Sequence, residues 1–97
     1  MKIGAHVSSA GGISKALDRG AEIGCETIQI FGSSPQRWAF KPVSEAEKEA
    51  FRQITAETGI APAFFHAIYL INLGTPDQAN LEKGVQSLIN YMNLAAD

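Results

Sequence analysis

The chain has 97 residues, 45% hydrophobic and 19% charged, with a formal net charge of -2, which describes one ordinary unit near the lower end of domain size. No apolar stretch approaches the ~20 residues of a membrane-spanning helix, and the opening Met1–Gly12 lacks a basic-then-apolar signal profile. The charge balance excludes a basic nucleic-acid coat, and a lone cysteine, Cys25, excludes an internal disulfide framework and a thiolate metal knuckle.

A cytoplasmic protein is therefore expected, with no membrane contact and with any metal held by His and carboxylates. In chain order, the hydrophobic period switches three times from about 2 to about 3.6, the pattern of repeated strand-then-helix units. The first strand is predicted over Lys2–Val7, followed by the small, flexible Ser8-Ser9-Ala10-Gly11-Gly12. A helix then carries Ile13, Ala16, Leu17, Gly20 and Ile23 on one face and stops at Gly24. The second strand, Glu26–Phe31, leads into a loop, Gly32–Val43, that contains Pro35, Gln36, Arg37 and Trp38. Ser44-Glu45-Ala46-Glu47 announces the second helix, with Ser44 as cap and Glu47 reaching back to it, and Gly59 ends it.

The third strand is predicted over Ala61–His66, with Pro62 tolerable only at its beginning. After the loop Ala67–Gly74, the run Thr75-Pro76-Asp77-Gln78 offers a capping hydroxyl, a proline for the first helical position and an acid for the first turn. The third helix is expected to bury Leu81, Val85, Leu88, Ile89 and Met92. Nothing in composition marks a boundary, so residues 1–97 read as a single partial domain. Parallel strands joined through helices cross over with one hand, which predicts all three helices on one face of the sheet and nothing on the other. A closed eight-unit barrel takes ~250 residues, so this α/β chain supplies about three units, the N-terminal (βα)3 portion of an incomplete (βα)8 TIM barrel. The uncovered sheet face is expected to drive self-association of the fragment.

In such a barrel functional groups gather at the C-terminal ends of the strands. His6 ends the first strand, the second runs into the Gln36-Arg37-Trp38 loop, and His66 ends the third. Cys25 lies at the opposite end and reads as a small packed residue. His66 is open to two readings, a satisfied structural histidine or a metal ligand. His6 is expected to line the pocket more than to ligate. A zinc centre needs at least three protein donors, and Glu45, Glu47, Glu49, Glu57 and Glu82 read as solvated helix faces, so the chain holds at most one ligand. Tyr69-Leu70-Ile71 is apolar where a loop is ordinarily polar, so it either folds back over a helix or forms a wedge that enters a base stack. Gln36 and Arg37 offer donors for phosphates or groove edges, and Trp38 reads as the packing anchor of its loop. The glycine-bearing turn Ser8–Gly12 offers backbone donors to an anion, but without a phosphate-binding glycine pattern.

Gly4-Ala5-His6-Val7-Ser8 with Gly11-Gly12, and His66-x-x-Tyr69-Leu70-Ile71-Asn72-Leu73-Gly74, resemble the N-terminal part of the endonuclease IV family of zinc-dependent apurinic/apyrimidinic endonucleases. The resemblance implies a (βα)8 barrel with three zinc ions that cleaves double-stranded DNA 5' to abasic sites in base excision repair, leaving a 3'-hydroxyl and a 5'-deoxyribose phosphate. It implies that His66 is a zinc ligand, that Tyr69 and Leu70 push into the DNA at the lesion, and that Gln36 and Arg37 lie in a DNA-contacting loop. The family's other ligands lie on later strands, so the 97 residues alone are expected to be inactive. A sugar isomerase or epimerase of the related divalent-metal barrels, and a non-catalytic fragment, are the alternatives.

Overall fold

The strand-then-helix alternation is realised three times. The computed structural model describes all 97 residues, with β1 (Gly4–His6), α1 (Ile13–Glu22), β2 (Thr27–Ile30), α2 (Glu45–Thr58), β3 (Ala63–Phe65) and α3 (Gln78–Ala96). The strands are shorter than the apolar runs predict, the central β2 as well as the two edges. Pairing nevertheless runs past their ends, where Val7 N donates to Gln29 O at 3.0 Å and His66 N to Ile30 O at 2.9 Å. The chain divides into two compact units, Met1–Gly32 with Val43–His66, and Ser33–Pro42 with Ala67–Asp97.

The first unit is the sheet with α1 and α2. Its strands are parallel in the order β1-β2-β3. Paired residues point their side chains to the same face, so Ala5, Ile28 and Ala63 form one row, and His6, Gln29 and Phe64 form a row on the opposite face. The Ile28 face carries the core: Val7, Ile13, Ala16, Leu17, Ile28, Ile30 and Ile60 are buried together, with Phe51, Ile54 and Phe65 packed against them. Full burial of a Leu or Ile side chain contributes about 1.5–3 kcal/mol, so Leu17, Ile28 and Ile30 are the main fasteners of this layer. Gly20 lets α1 approach β2 closely, since a Cβ there would sit 2.7 Å from Ile28 Cγ2. The opposite face is open, with Phe64 53% exposed and His6 exposed. Cys25 is a free thiol, half-buried and packed against the core.

Two expectations in this unit are corrected. Ile23 does not join the buried face of α1; it is the first residue off the helix and is 66% exposed. Ser44 does cap α2, accepting from Glu47 N at 3.2 Å, and Gly59 ends it in the left-handed conformation at φ 72. The Glu47 carboxylate, however, neither reaches back to Ser44 nor lies in solvent. It crosses to α1, where Oε1 accepts from Ser14 N at 2.8 Å, close over Gly12, whose φ is 129. A carboxylate there satisfies a free amide of the first turn and opposes the positive end of the helix dipole. Glu45, Glu49, Glu57 and Glu82 do follow the solvated-face reading, each bonded to a neighbour one turn away on its own helix.

The second unit is α3 with the segments 33–42 and 67–77. Asp77, not Thr75, is the cap: its Oδ1 accepts from Asn80 N at 2.8 Å, while the Thr75 hydroxyl accepts from Asp77 N and shapes the turn before the helix. The buried face of α3 is also not the predicted one. Gly84, Ser87 and Tyr91 are buried, Leu81 and Leu88 are half-buried, and Val85, Ile89 and Met92 are exposed. Tyr91 decides this, because its hydroxyl bonds Ser33 Oγ and its ring meets Phe40 edge-on at 5.4 Å. Gly84 lies against Ile71, where even a Cβ would sit at an ordinary contact distance, 3.7 Å from Ile71 Cγ2.

The Glu47 contact yields a direct test. Glu47→Ala removes a charge-assisted cap from a helix on another element, so urea unfolding of the chain should show a loss of about 1 kcal/mol; an unchanged midpoint would remove Glu47 from the account of α1.

Candidate functional site

Parallel strands deliver their C-terminal residues to one edge of the sheet, and here that edge carries both histidines of the chain. His6 and Gln29 are register partners, and Phe31 and His66 lie one step further along the same face, each two residues beyond Gln29 and Phe64. The rings close on one another. His6 and Phe31 have centroids 4.7 Å apart, Phe31 and His66 4.9 Å, and His6 and His66 6.0 Å with an edge-on angle of 73°. His6 Nδ1 lies 3.4 Å from Gln29 Oε1. His6 and His66 are exposed, while Gln29 and Phe31 are half-buried beneath them.

Gln29 and Phe31 were not singled out from the sequence, although a signal was there. Strand alternation gives them the parity opposite to Ile28 and Ile30, hence the face of His6.

These groups do not complete a metal centre. Nowhere in the chain do three or more His, Cys, Asp or Glu side chains come together in a way that could hold an ion. Gln29 and Phe31, which lie against the paired imidazoles, add no zinc ligand of the usual kind, and zinc requires at least three protein donors. The residues present thus do not by themselves fit a zinc site.

The Ser8–Gly12 turn is no vacant anion cradle either. Glu47 covers the amide of Ser14, Gly12 N donates to Ser9 O, Ala10 N donates to Ser8 Oγ, and Arg19 holds Ser8 O at 2.8 Å. Ser9 Oγ ties the turn to Phe31 O at 2.7 Å.

The second unit brings together what the sequence keeps about 30 residues apart. Tyr69 N donates to Pro35 O at 2.9 Å, so the turn bearing Gln36 and Arg37 lies beside the turn bearing Tyr69 and Leu70. Each turn is closed on itself, by Arg37 N to Ser34 O at 3.3 Å and by Ile71 N to Ile68 O at 3.3 Å. Ile68 and Ile71 turn inward, at 2% exposure and half-buried, which leaves Tyr69 at 64% and Leu70 at 38%. The apolar run is thus split: part of it packs, and Tyr69 and Leu70 stand out beside exposed Gln36 and Arg37. Trp38 is half-buried, consistent with packing in its loop. An aromatic and an aliphatic tip flanked by an amide and a guanidinium can both stack on bases and bond phosphates.

Comparison with known proteins adds to this geometry. A family model described as xylose isomerase-like TIM barrel matches residues 17–97. The chain is 44% identical over all 97 residues to a protein of Persephonella marina named "Probable endonuclease 4", covering 34% of it. It is 42% identical over 93 residues to a protein of that name from Methanosphaerula palustris, covering 32% of it. The crystal structure of endonuclease IV from Thermus thermophilus superimposes with a TM-score of 0.93 at 39% identity, over 99% of this chain and 36% of that one. The chain therefore spans about a third of the length of the curated relatives it matches.

From the donor count, titration of the 97-residue chain with zinc, followed by calorimetry, should show no stoichiometric tight binding. A tight one-to-one isotherm would mean that ligands have been miscounted.

Proposed function

The chain belongs to the xylose isomerase-like TIM-barrel family, and from that premise we propose that the protein carrying it is a DNA-repair endonuclease that cleaves double-stranded DNA 5' to abasic sites. The observation that carries the reading is the likeness to endonuclease IV, a TM-score of 0.93 at 39% identity across 99% of the chain. The paired turns of the second unit support it, because the side chains they expose suit a distorted duplex.

In this reading Tyr69 and Leu70 enter the base stack at the lesion. Unstacking costs a few kcal/mol per step and is least where a base is already missing, so such a wedge favours abasic over intact DNA. Gln36 and Arg37 bond the backbone or the minor-groove edge and set the register of the duplex. An overall charge of -2 is compatible with this, since selectivity then rests on deformability and a few inserted groups more than on a basic surface. His66 is this chain's contribution to a zinc centre whose other donors lie outside the 97 residues, and His6 lines the pocket beside it. The protein is read as cytoplasmic; no helix is long and apolar enough to cross a membrane. Taken alone, the chain is inactive and self-associates through the open face that carries Phe64.

The description of the matching family also favours a second reading, a sugar isomerase or epimerase. Incubating the full-length protein with an abasic duplex and, separately, with a ketose distinguishes the two. Incision with a 3'-hydroxyl product is expected, and isomerisation without incision would overturn the first reading. Tyr69→Ala in the full-length protein should weaken binding to abasic duplex by about 1–3 kcal/mol, the scale of one stacked base, and binding to intact duplex much less. Equal losses on both duplexes in a gel-shift titration would remove the wedge.

A further inference from the structure

Among the side chains of the open sheet face, four are organised more tightly than their exposure leads one to expect. An exposed imidazole ordinarily turns freely about its side-chain torsions, and the outer torsion of histidine is broad in any case. His66 is instead one corner of a closed triangle of rings, with Phe31 at 4.9 Å and His6 at 6.0 Å edge-on. The third side, His6 to Phe31 at 4.7 Å, is the shortest. His6 is also held from the side by Gln29, its register partner. A carbonyl oxygen can only accept, so a bond across the 3.4 Å between Gln29 Oε1 and His6 Nδ1 calls for the hydrogen on Nδ1. Through that contact one ring nitrogen meets a side chain of the neighbouring strand.

We propose that His6 is a positioning residue: held by Gln29 and packed on Phe31, its ring fixes the orientation of the His66 imidazole before anything binds there. The inference rests on the reading of His66 as a functional side chain, and it gives Gln29 and Phe31 a part that the sequence did not suggest. The device uses three successive strands, one ring from the end of each, and requires only the parallel register to assemble. A group set to within a fraction of an ångström by packed neighbours loses little freedom when it is used, the general advantage of a preorganised site.

The test is nuclear magnetic resonance on the full-length protein, labelled at histidine and freed of metal, in the alkaline range, where imidazole is ordinarily neutral. The wild type should show ring-to-ring Overhauser effects between His6 and His66, side-chain couplings of a single His66 rotamer, and the Nδ1–H tautomer of His6. His6→Ala and Phe31→Leu should move the His66 couplings to the averaged values of a free side chain, and His6→Phe, which keeps the ring, should restore them. Gln29→Met should shift His6 towards the Nε2–H tautomer, and Gln29→Glu, which keeps an acceptor, should not. In the full-length protein His6→Ala should lower kcat on the order of 10- to 100-fold with little change in KM, and His6→Phe should recover most of it.

A His66 ring that stays in one rotamer in His6→Ala, or that is already averaged in the wild type for whatever reason, overturns the proposal. So does a His6→Phe variant that behaves like His6→Ala. The two readings fail separately: a full-length protein that does not incise while His66 follows His6 refutes the endonuclease alone, and one that incises with His66 indifferent to His6 refutes the positioning alone.

Discussion

Parallel pairing in a single register is the constraint from which the rest of the first unit follows. It brings the ends of β1, β2 and β3 to the same edge, and the strand period of two then sorts their side chains between a helix-covered face and an open one. Ile28 and Ile30 face the helices because Gln29 and Phe31 do not. The core and the candidate site are therefore two sides of one alternation, and a shift of one residue in the β1–β2 ladder would put His6 into the apolar layer and Ala5 into the open face. The 60-residue separation between His6 and His66 in the chain becomes a contact between neighbouring rings without any loop being asked to hold them.

Much of this could be read from the residues because the relevant signals are local. Ser44 and Gly59 bracket α2 as their chemistry predicts, and Ile13, Ala16, Leu17 and Gly20 form the buried stripe of α1. The misreadings have a common origin in contacts made at long range. Glu47 sits in a sequence that looks like a self-contained capping box, and nothing nearby shows that its carboxylate is used 33 residues away. On α3, Val85, Ile89 and Met92 form a stripe at helical spacing, but so do Gly84, Ser87 and Tyr91 one or two positions earlier. A hydropathy count favours the first. The second is the one that buries, because a tyrosine hydroxyl finds a partner in Ser33 and its ring one in Phe40. Likewise the exposure of Tyr69 and Leu70 follows from Ile68 and Ile71 taking the inward positions, a division of one apolar run that composition alone leaves undecided.

The two units contribute different kinds of group. The sheet edge of the first offers nitrogen donors and aromatic rings on a rigid ladder, with positions fixed by backbone pairing. The second offers exposed tips on turns, joined to one another by a backbone bond from Tyr69 to Pro35. Chemistry that tolerates little displacement is suited to the former, and the accommodation of a deformable polymer to the latter.

The carboxylate of Glu47 at the start of α1 also orders events in time. During synthesis the first strand and helix leave the ribosome well before the residue that completes the helix's amino end. Until that later stretch has emerged and coiled, the amide of Ser14 has only water to bond, and the glycine-bearing turn ahead of it has no anion to close upon. The amino end of α1 is thus completed by a residue of the second βα unit, and a chain that ends before α2 lacks the group that closes it.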